Sequence, residues 1–109
     1  MSDLQRLIDG FDAGELVRPF AGSTSLVDLV RACAKASGVD DIPMNDATRA
    51  MADHLRRAEH LIFVLADGLG IQFIDQLPRG SWLRRHTRRS ILAPYPPTTP
   101  VALTTVATG

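Results

Sequence analysis

Two residues of this 109-residue chain, Asp67 and Thr99, have side chains that can take part in catalysis, and their positions would allow a fold to bring them together. Asp67 directly follows the apolar run 61–66, and Thr99 follows the shorter, largely apolar run 90–93 after a proline-rich turn. Each run predicts a strand, and the 32 positions between the two residues match the length of one βαβ unit. A right-handed crossover would make the strands parallel and place both residues at the ligand-binding carboxyl edge of a sheet. We therefore predict an α/β fold.

A carboxylate and a hydroxyl at one sheet edge indicate metal-assisted phosphoryl chemistry. A threonine hydroxyl is too weakly acidic to attack at neutral pH, and a divalent metal ion activates such a group by coordination. Asp67 is a candidate ligand for that ion, and Thr99 is the candidate nucleophile and a second ligand. If both bind one ion, we expect their side chains to approach within roughly 4–6 Å. The simpler interpretation is an aspartate in an Asp-Gly turn and a threonine that only caps a helix.

The chain after Thr99 predicts a helix. Proline is favoured at the first helical position, where Pro100 stands, and a threonine just before it is a good N-cap. Gly109 fits the other end of this helix. The free N–H groups and the positive end of the helix dipole would face the same region as the Thr99 hydroxyl, which is an anion-binding geometry.

The other predicted elements must position these two residues. A short helix near 4–8 and an irregular stretch to residue 22 come first. Next comes an amphipathic helix over 26–37, with Ser25 and Asp28 as its N-terminal cap and Gly38 as its stop. The remaining elements are a helix over 46–58 capped by Asn45 or Asp46, strand 61–66, helix 71–77, a short helix after Ser81 and a strand around 90–93.

The composition excludes several classes of protein. Twelve basic and twelve acidic residues cancel, so no global charge favours nucleic acid or an anionic membrane as a partner. The single cysteine, Cys33, excludes an intrachain disulfide and a zinc ribbon, and its helical apolar setting predicts a buried core thiol. The N-terminus lacks the pattern of a signal peptide, and the longest apolar run is too short to cross a bilayer. We expect a soluble, cytoplasmic protein.

The other candidate residues favour structural roles. The basic run 84–89 has no aromatic residues among its arginines, so it predicts a solvated helix end rather than a nucleic-acid site. His54 and His60 are six positions apart and share no helix face, and His86 lies within the basic run. We expect none of the three histidines to bind a metal ion.

The chain resembles the type I phosphodiesterase / nucleotide pyrophosphatase branch of the alkaline phosphatase superfamily. The resemblance covers about residues 59–109 and is carried by two stretches at a particular spacing. The first is 61–70, which ends Ala66-Asp67-Gly68-Leu69-Gly70, and the second is 93–109, which contains Pro97-Thr98-Thr99-Pro100.

The resemblance implies a function, a fold and a site. In that family the strand-end aspartate binds one of two zinc ions, and the threonine that begins the next helix is the nucleophile and binds the same zinc. By position, Asp67 is the metal ligand, and Thr99 is both the nucleophile and a ligand. The substrate would be a phosphate ester. The fold would be the first βαβα portion of an alkaline-phosphatase-like parallel-sheet sandwich.

The chain departs from the family in its metal ligands. The family completes its two-metal site with aspartates and histidines well downstream, whereas all three histidines here precede Thr99. We therefore interpret 1–58 as a helical N-terminal segment and 59–109 as the N-terminal part of a truncated domain. It would hold at most one partial metal site, be inactive alone and need the remainder of the domain as its partner. The alternative is a non-catalytic α/β module that binds a phosphate or a partner, or a decayed remnant.

Overall fold

The computed structural model describes residues 1–17 and 23–109. Within these ranges the regular structure is helical, and we number the helices α1 to α6 in chain order. Among the described residues, every helix is too short or too polar to cross a lipid bilayer. The helices are α1 (Asp3–Asp12), α2 (Leu26–Ala36), α3 (Asp46–Leu55), α4 (Ile71–Gln76), α5 (Trp82–His86) and α6 (Thr99–Thr108).

The predicted parallel-sheet α/β fold is wrong, because the described residues form no sheet. Their β pairing is a parallel bridge between Ser25 and Leu92. There the Leu26 N–H donates to the Leu92 carbonyl at 3.0 Å, and the Leu92 N–H donates to the Thr24 carbonyl at 2.8 Å. Run 61–66 lies in no helix or strand and is exposed throughout. A buried strand needs neighbours that pair with its backbone, and an apolar run cannot supply them by itself.

The core lies where α2 packs against both α3 and α6. Buried side chains come mainly from α2 and α3: Leu26, Ala32, Ala36 and Met51, with the polar Asp28 and Thr48 beside them. Cys33 is half-buried, less than predicted for a core thiol, and burial raises the pKa of its thiol. The Arg31 Nε donates to the Gly109 carbonyl at 2.9 Å, so hydrogen bonds connect the segments on either side of residue 58.

The predicted start of α2 and its glycine stop are confirmed, although the helix ends at Ala36, one residue before the predicted end. Ser25 is the N-cap, and its hydroxyl and backbone N–H exchange hydrogen bonds with Asp28 in a capping box. At the other end Gly38 has φ of +96°, a conformation that costs glycine little because it has no Cβ. The Val39 N–H donates to the Ala34 carbonyl at 3.1 Å, and the Gly38 N–H donates to the Lys35 carbonyl at 3.0 Å. These two bonds form a Schellman motif.

Helix α3 begins as predicted and ends early. Asn45 is the N-cap, and its side chain accepts from the Thr48 N–H. The predicted end at Ala58 is wrong, because Arg56 adopts φ of +60° and stops the helix at Leu55. This turn frees the Ala58 N–H, which donates to the Ala36 carbonyl at 3.1 Å and ties the segment after α3 to the end of α2.

The remaining helix predictions differ from the structure in their bounds. Helix α1 runs on through Gly10 to Asp12, well beyond the predicted 4–8. The irregular stretch predicted to follow it includes residues 18–22, which lie outside the described residues. Helix α4 ends at Gln76, one residue before the predicted end, and α5 follows its predicted N-cap, Ser81.

A buried carboxylate joins the N-terminus of α2 to that of α3. Asp28 Oδ1 accepts from the Asn45 amide at 2.8 Å and from the Thr48 hydroxyl at 3.0 Å. Its Oδ2 accepts from the Ser25 N–H at 2.8 Å and from the Ser25 hydroxyl at 3.0 Å. Burial raises the pKa of Asp28, but these hydrogen bonds favour the charged form more strongly and hold its pKa below the usual 3.8.

We expect the stability of the chain to fall at acidic pH in a way that depends on Asp28. Its folded pKa is lowered, so its contribution is complete above 3.8 and is lost as pH falls through the folded-state value. Urea unfolding followed by helical ellipticity at a series of acidic pH values measures the slope. Hydrogen bonding to Lys35 also lowers the pKa of the exposed Asp40, so the comparison that isolates Asp28 is Asp28→Asn. An acid limb that is equally steep in that variant would contradict the assignment.

Candidate functional site

The structure brings Asp67 and Thr99 into direct contact. The Thr99 hydroxyl donates a hydrogen bond to Asp67 Oδ1 at 3.1 Å across 32 positions of the chain. The two oxygens lie closer than the predicted 4–6 Å, and that range was too long, because two oxygens about 2 Å from the same ion are at most about 4 Å apart. The contact does not arise from a shared sheet edge, because both residues stand in a part of the chain where the described residues form no sheet.

Thr99 lies in the first turn of α6. The predicted N-cap was Thr99, and this is wrong by one residue, since Thr98 is the N-cap and its side chain makes no capping hydrogen bond. The Thr99 hydroxyl therefore takes no part in capping and is used for Asp67 instead. The first backbone bond of the helix runs from the Ala102 N–H to the Thr98 carbonyl at 3.0 Å. The N–H groups of Thr99 and Val101 precede it and have no intrahelical acceptor.

Asp67 is presented by a tight turn. Asp67 and Gly68 form the turn that follows run 61–66, and Gly68 has φ of +71°. No atom lies within 4 Å of the place where a Cβ on Gly68 or Gly70 would stand. Gly68 therefore meets the backbone requirement of the turn, and both glycines leave open space beside them.

The two side chains line a shallow cavity of about 560 Å³. Both residues are exposed, so water reaches the hydroxyl and the carboxylate freely. Sequence analysis did not assign Ala102 to this place, although it stands three positions after Thr99 and thus on the same face of a helix. The wall is formed by residues 65–70, 93–94, 97–99 and 102.

The pair fits part of a metal site. Two oxygen ligands that each lie about 2.0–2.2 Å from one ion are about 2.8–3.5 Å apart, depending on the coordination angle. The 3.1 Å between the Thr99 and Asp67 oxygens falls within this range. Within residues 1–17 and 23–109, however, no group of three or more His, Cys, Asp or Glu side chains could hold a metal ion. The described residues thus fit two ligand positions of a metal ion, which is less than a catalytic zinc site requires.

Two of the other candidates, His86 and Arg84, have partners elsewhere. His86 stacks on Trp82 with ring centroids 4.5 Å apart, and its Nδ1 lies 2.7 Å from the Trp82 carbonyl oxygen. In the basic run, Arg84 donates to the Leu77 carbonyl at 2.7 Å, which joins α5 to the end of α4. These contacts are structural, and none of them involves Asp67 or Thr99.

No protein-family model, no curated protein and no solved structure matches this chain. The family resemblance of residues 59–109 therefore stays a prediction, and the geometry of the Asp67–Thr99 pair is the observation from which a function is argued.

Proposed function

We propose that this chain carries the nucleophile and one metal ligand of a metal-dependent phosphoric ester hydrolase of the phosphodiesterase or nucleotide pyrophosphatase type. The observation that supports the proposal is the 3.1 Å hydrogen bond from the Thr99 hydroxyl to Asp67, formed at the N-terminal end of α6. It joins an oxygen nucleophile and a hard anionic ligand in one open cavity. These are the two functional groups that this chemistry requires first.

Thr99 would act through its Oγ1. After its proton has passed to solvent, this oxygen bonds to phosphorus while the bond from phosphorus to the leaving alcohol breaks. The departing alkoxide takes a proton from water. A second water molecule then hydrolyses the phosphothreonine, which releases the phosphate monoester and restores the hydroxyl.

Asp67 and the start of α6 would orient the reacting groups. Asp67 orients the Thr99 hydroxyl by accepting a hydrogen bond from it. The N–H groups of Thr99 and Val101 point out of the first turn, where they can donate to a phosphate oxygen. A divalent ion held by Asp67 and Thr99 would lower the pKa of the hydroxyl and offset the charge of the phosphate.

We expect residues 1–109 alone to be inactive. The complete site of such an enzyme uses two divalent ions, for which the resemblance indicates zinc, about 4 Å apart. Asp67 and Thr99 supply two ligands for one ion, which is too few to bind two ions. The open cavity also leaves the nucleophile in water, where electrostatic stabilisation of the transition state is weak. We therefore propose that the remaining metal ligands belong to further polypeptide, the remainder of the domain.

The gene sequence beyond codon 109 is the first test. An in-frame continuation with paired Asp and His residues supplies the missing ligands, and its product is assayed with zinc on bis(4-nitrophenyl) phosphate. A stop followed by unrelated sequence instead favours the non-catalytic alternative, in which the Thr99 helix terminus binds a phosphate or a partner. Hydrolysis by the purified 109-residue chain with zinc would contradict the proposed division of the site.

Asp67→Asn is expected to weaken metal binding more than it affects folding. The amide carries no negative charge, while the exposed turn keeps its backbone conformation. In the protein with all its ligands, we expect at least a tenfold loss of zinc affinity, as measured by competition with a chelating dye. Asp75→Asn on α4 is the matched control, since Asp75 is exposed and lines no part of the cavity. Equal affinities for the two variants would remove Asp67 from the ligand set.

A further inference from the structure

The charges of this chain cancel in total but are unevenly distributed along it. Residues 1–75 contain all twelve acidic residues and seven of the twelve basic ones. Residues 76–109 contain no acidic residue and five arginines, all of which lie within 79–89, which we call the arginine segment. This segment is strongly positive, so it can attract a polyanion although the whole chain has no net charge.

The arginines of this segment are available to a partner. Arg84 is half-buried and donates to the Leu77 carbonyl at 2.7 Å, which holds α5 against the end of α4. None of the ion pairs between described residues involves the segment. Further polypeptide is a poor cover for such a surface, because burying unpaired charges is strongly unfavourable, whereas phosphate groups supply the missing countercharges. The exposed arginines are Arg79, Arg85, Arg88 and Arg89.

An aromatic side chain lies beside these charges. Trp82 is 66% exposed, and its indole stacks on the His86 ring with centroids 4.5 Å apart and planes 22° apart. Trp82, Arg85 and His86 stand at i, i+3 and i+4 of α5 and thus on one face of the helix. Sequence analysis considered only 84–89, where no aromatic residue lies among the arginines, whereas α5 adds the indole to the same surface. An acidic peptide would contact the arginines alone, but an unpaired nucleobase would also stack on the indole.

We propose that the arginine segment, with Trp82 as its stacking surface, binds single-stranded nucleic acid. The exposed guanidinium groups donate to phosphate oxygens, and the indole stacks on an unpaired base. A duplex keeps its bases stacked on one another, so it would meet the charges without the indole. The segment lines no part of the cavity of Asp67 and Thr99, and the inference does not depend on the proposed hydrolase activity.

Binding of a labelled oligonucleotide to the 109-residue chain tests the proposal. We expect a dT oligonucleotide of roughly 15 nucleotides to bind, as measured by the fluorescence anisotropy of its label. Trp82 is the only tryptophan of the chain, so quenching of its emission on binding reports stacking at this surface. The affinity should fall with salt. For four phosphate contacts at about 0.7 each, we expect a slope of about −3 for log K against log[KCl].

Two variants separate the charges from the stacking. The double variant Arg88→Gln, Arg89→Gln should weaken binding at least about tenfold and reduce the salt slope to about half. Trp82→Ala should weaken binding at least about fivefold and leave the slope unchanged, because the indole carries no charge. The control is the double variant Arg6→Gln, Arg49→Gln, which removes two exposed arginines from α1 and α3 and should leave the affinity nearly unchanged.

Several outcomes would overturn the proposal. The chain would fail the test if it did not bind the oligonucleotide, or if the control pair weakened binding as much as the substitutions at 88 and 89. Equal affinity for a duplex of the same length, or unchanged Trp82 emission on binding, would show that no base stacks on the indole. Equal affinity for poly-glutamate would indicate an acidic protein as the partner instead. Helical ellipticity measured for each variant ensures that folded chains are compared.

Discussion

Thr99→Ala is expected to reduce phosphodiester hydrolysis at least about a thousandfold in the protein that carries its full set of metal ligands. The variant lacks the oxygen that would bond to phosphorus, and among the described residues no other hydroxyl donates a hydrogen bond to Asp67. The fold should survive. One exposed hydrogen bond is lost, worth no more than about 1 kcal/mol, and alanine is the better helix former. Initial rates on bis(4-nitrophenyl) phosphate measure the effect.

The neighbouring threonine provides the control for this experiment. Thr98 precedes Thr99 in the chain, but its side chain makes no capping bond, and the hydrogen bond to Asp67 comes from Thr99. Thr98→Ala should keep most of the activity, and Thr99→Ser should keep part of it because serine retains the hydroxyl. Wild-type turnover by Thr99→Ala would show that this hydroxyl is not the nucleophile. Equal losses for the two alanine variants would indicate a structural role for the turn.

Asp28→Ala is expected to lower the free energy of unfolding by about 3 kcal/mol. Asp28 is 5% exposed, and its carboxylate accepts hydrogen bonds from Ser25, Asn45 and Thr48. Its removal eliminates the Asp28 half of the capping box of α2, and the Asn45 amide and the buried Thr48 hydroxyl lose their acceptor on α2. Domains of this size have total stabilities of about 5–15 kcal/mol, so the loss is a large fraction of the whole. Urea unfolding followed by helical ellipticity measures it.

A second aspartate at a helix N-terminus makes the comparison specific. Asp46 begins α3, is fully exposed, and forms an ion pair with Arg49 at 3.0 Å. Exposed ion pairs of this kind contribute little to stability, so Asp46→Ala should change the unfolding midpoint much less than Asp28→Ala. Similar midpoints for the two variants would mean that the Asp28 hydrogen bonds are not a main source of stability.

The site was predicted for a reason that the structure does not support. Asp67 and Thr99 were expected to meet because parallel strands would end at one sheet edge. They do meet, at 3.1 Å, but the residues that the structure describes form no sheet to join them. The turn at Gly68 presents the carboxylate, and the first turn of α6 presents the hydroxyl. Whether the pair performs the proposed chemistry is decided by the experiments on Thr99 and Asp67.

The sequence by itself determined where several of the helices begin and where α2 stops. The capping box of Ser25 and Asp28 and the glycine stop at Gly38 were predicted, and Asn45 was one of the two residues predicted to cap α3. Each depends on groups within about one helical turn of one another, so the residue types alone specify the hydrogen bonds. The end of α3 was not predicted, because φ at Arg56 is positive and arginine carries no signal for that conformation.

Only the tertiary structure decided which distant residues pair. Nothing in the residue types of 61–66 tells whether a neighbouring strand will cover them, and in the structure these residues are exposed and without main-chain hydrogen bonds. The contacts of Asp28 with Asn45 and Thr48 likewise join positions 17 and 20 apart. Such contacts depend on how α2 and α3 pack, because a strand or a buried carboxylate is stable only when the rest of the fold supplies its partners.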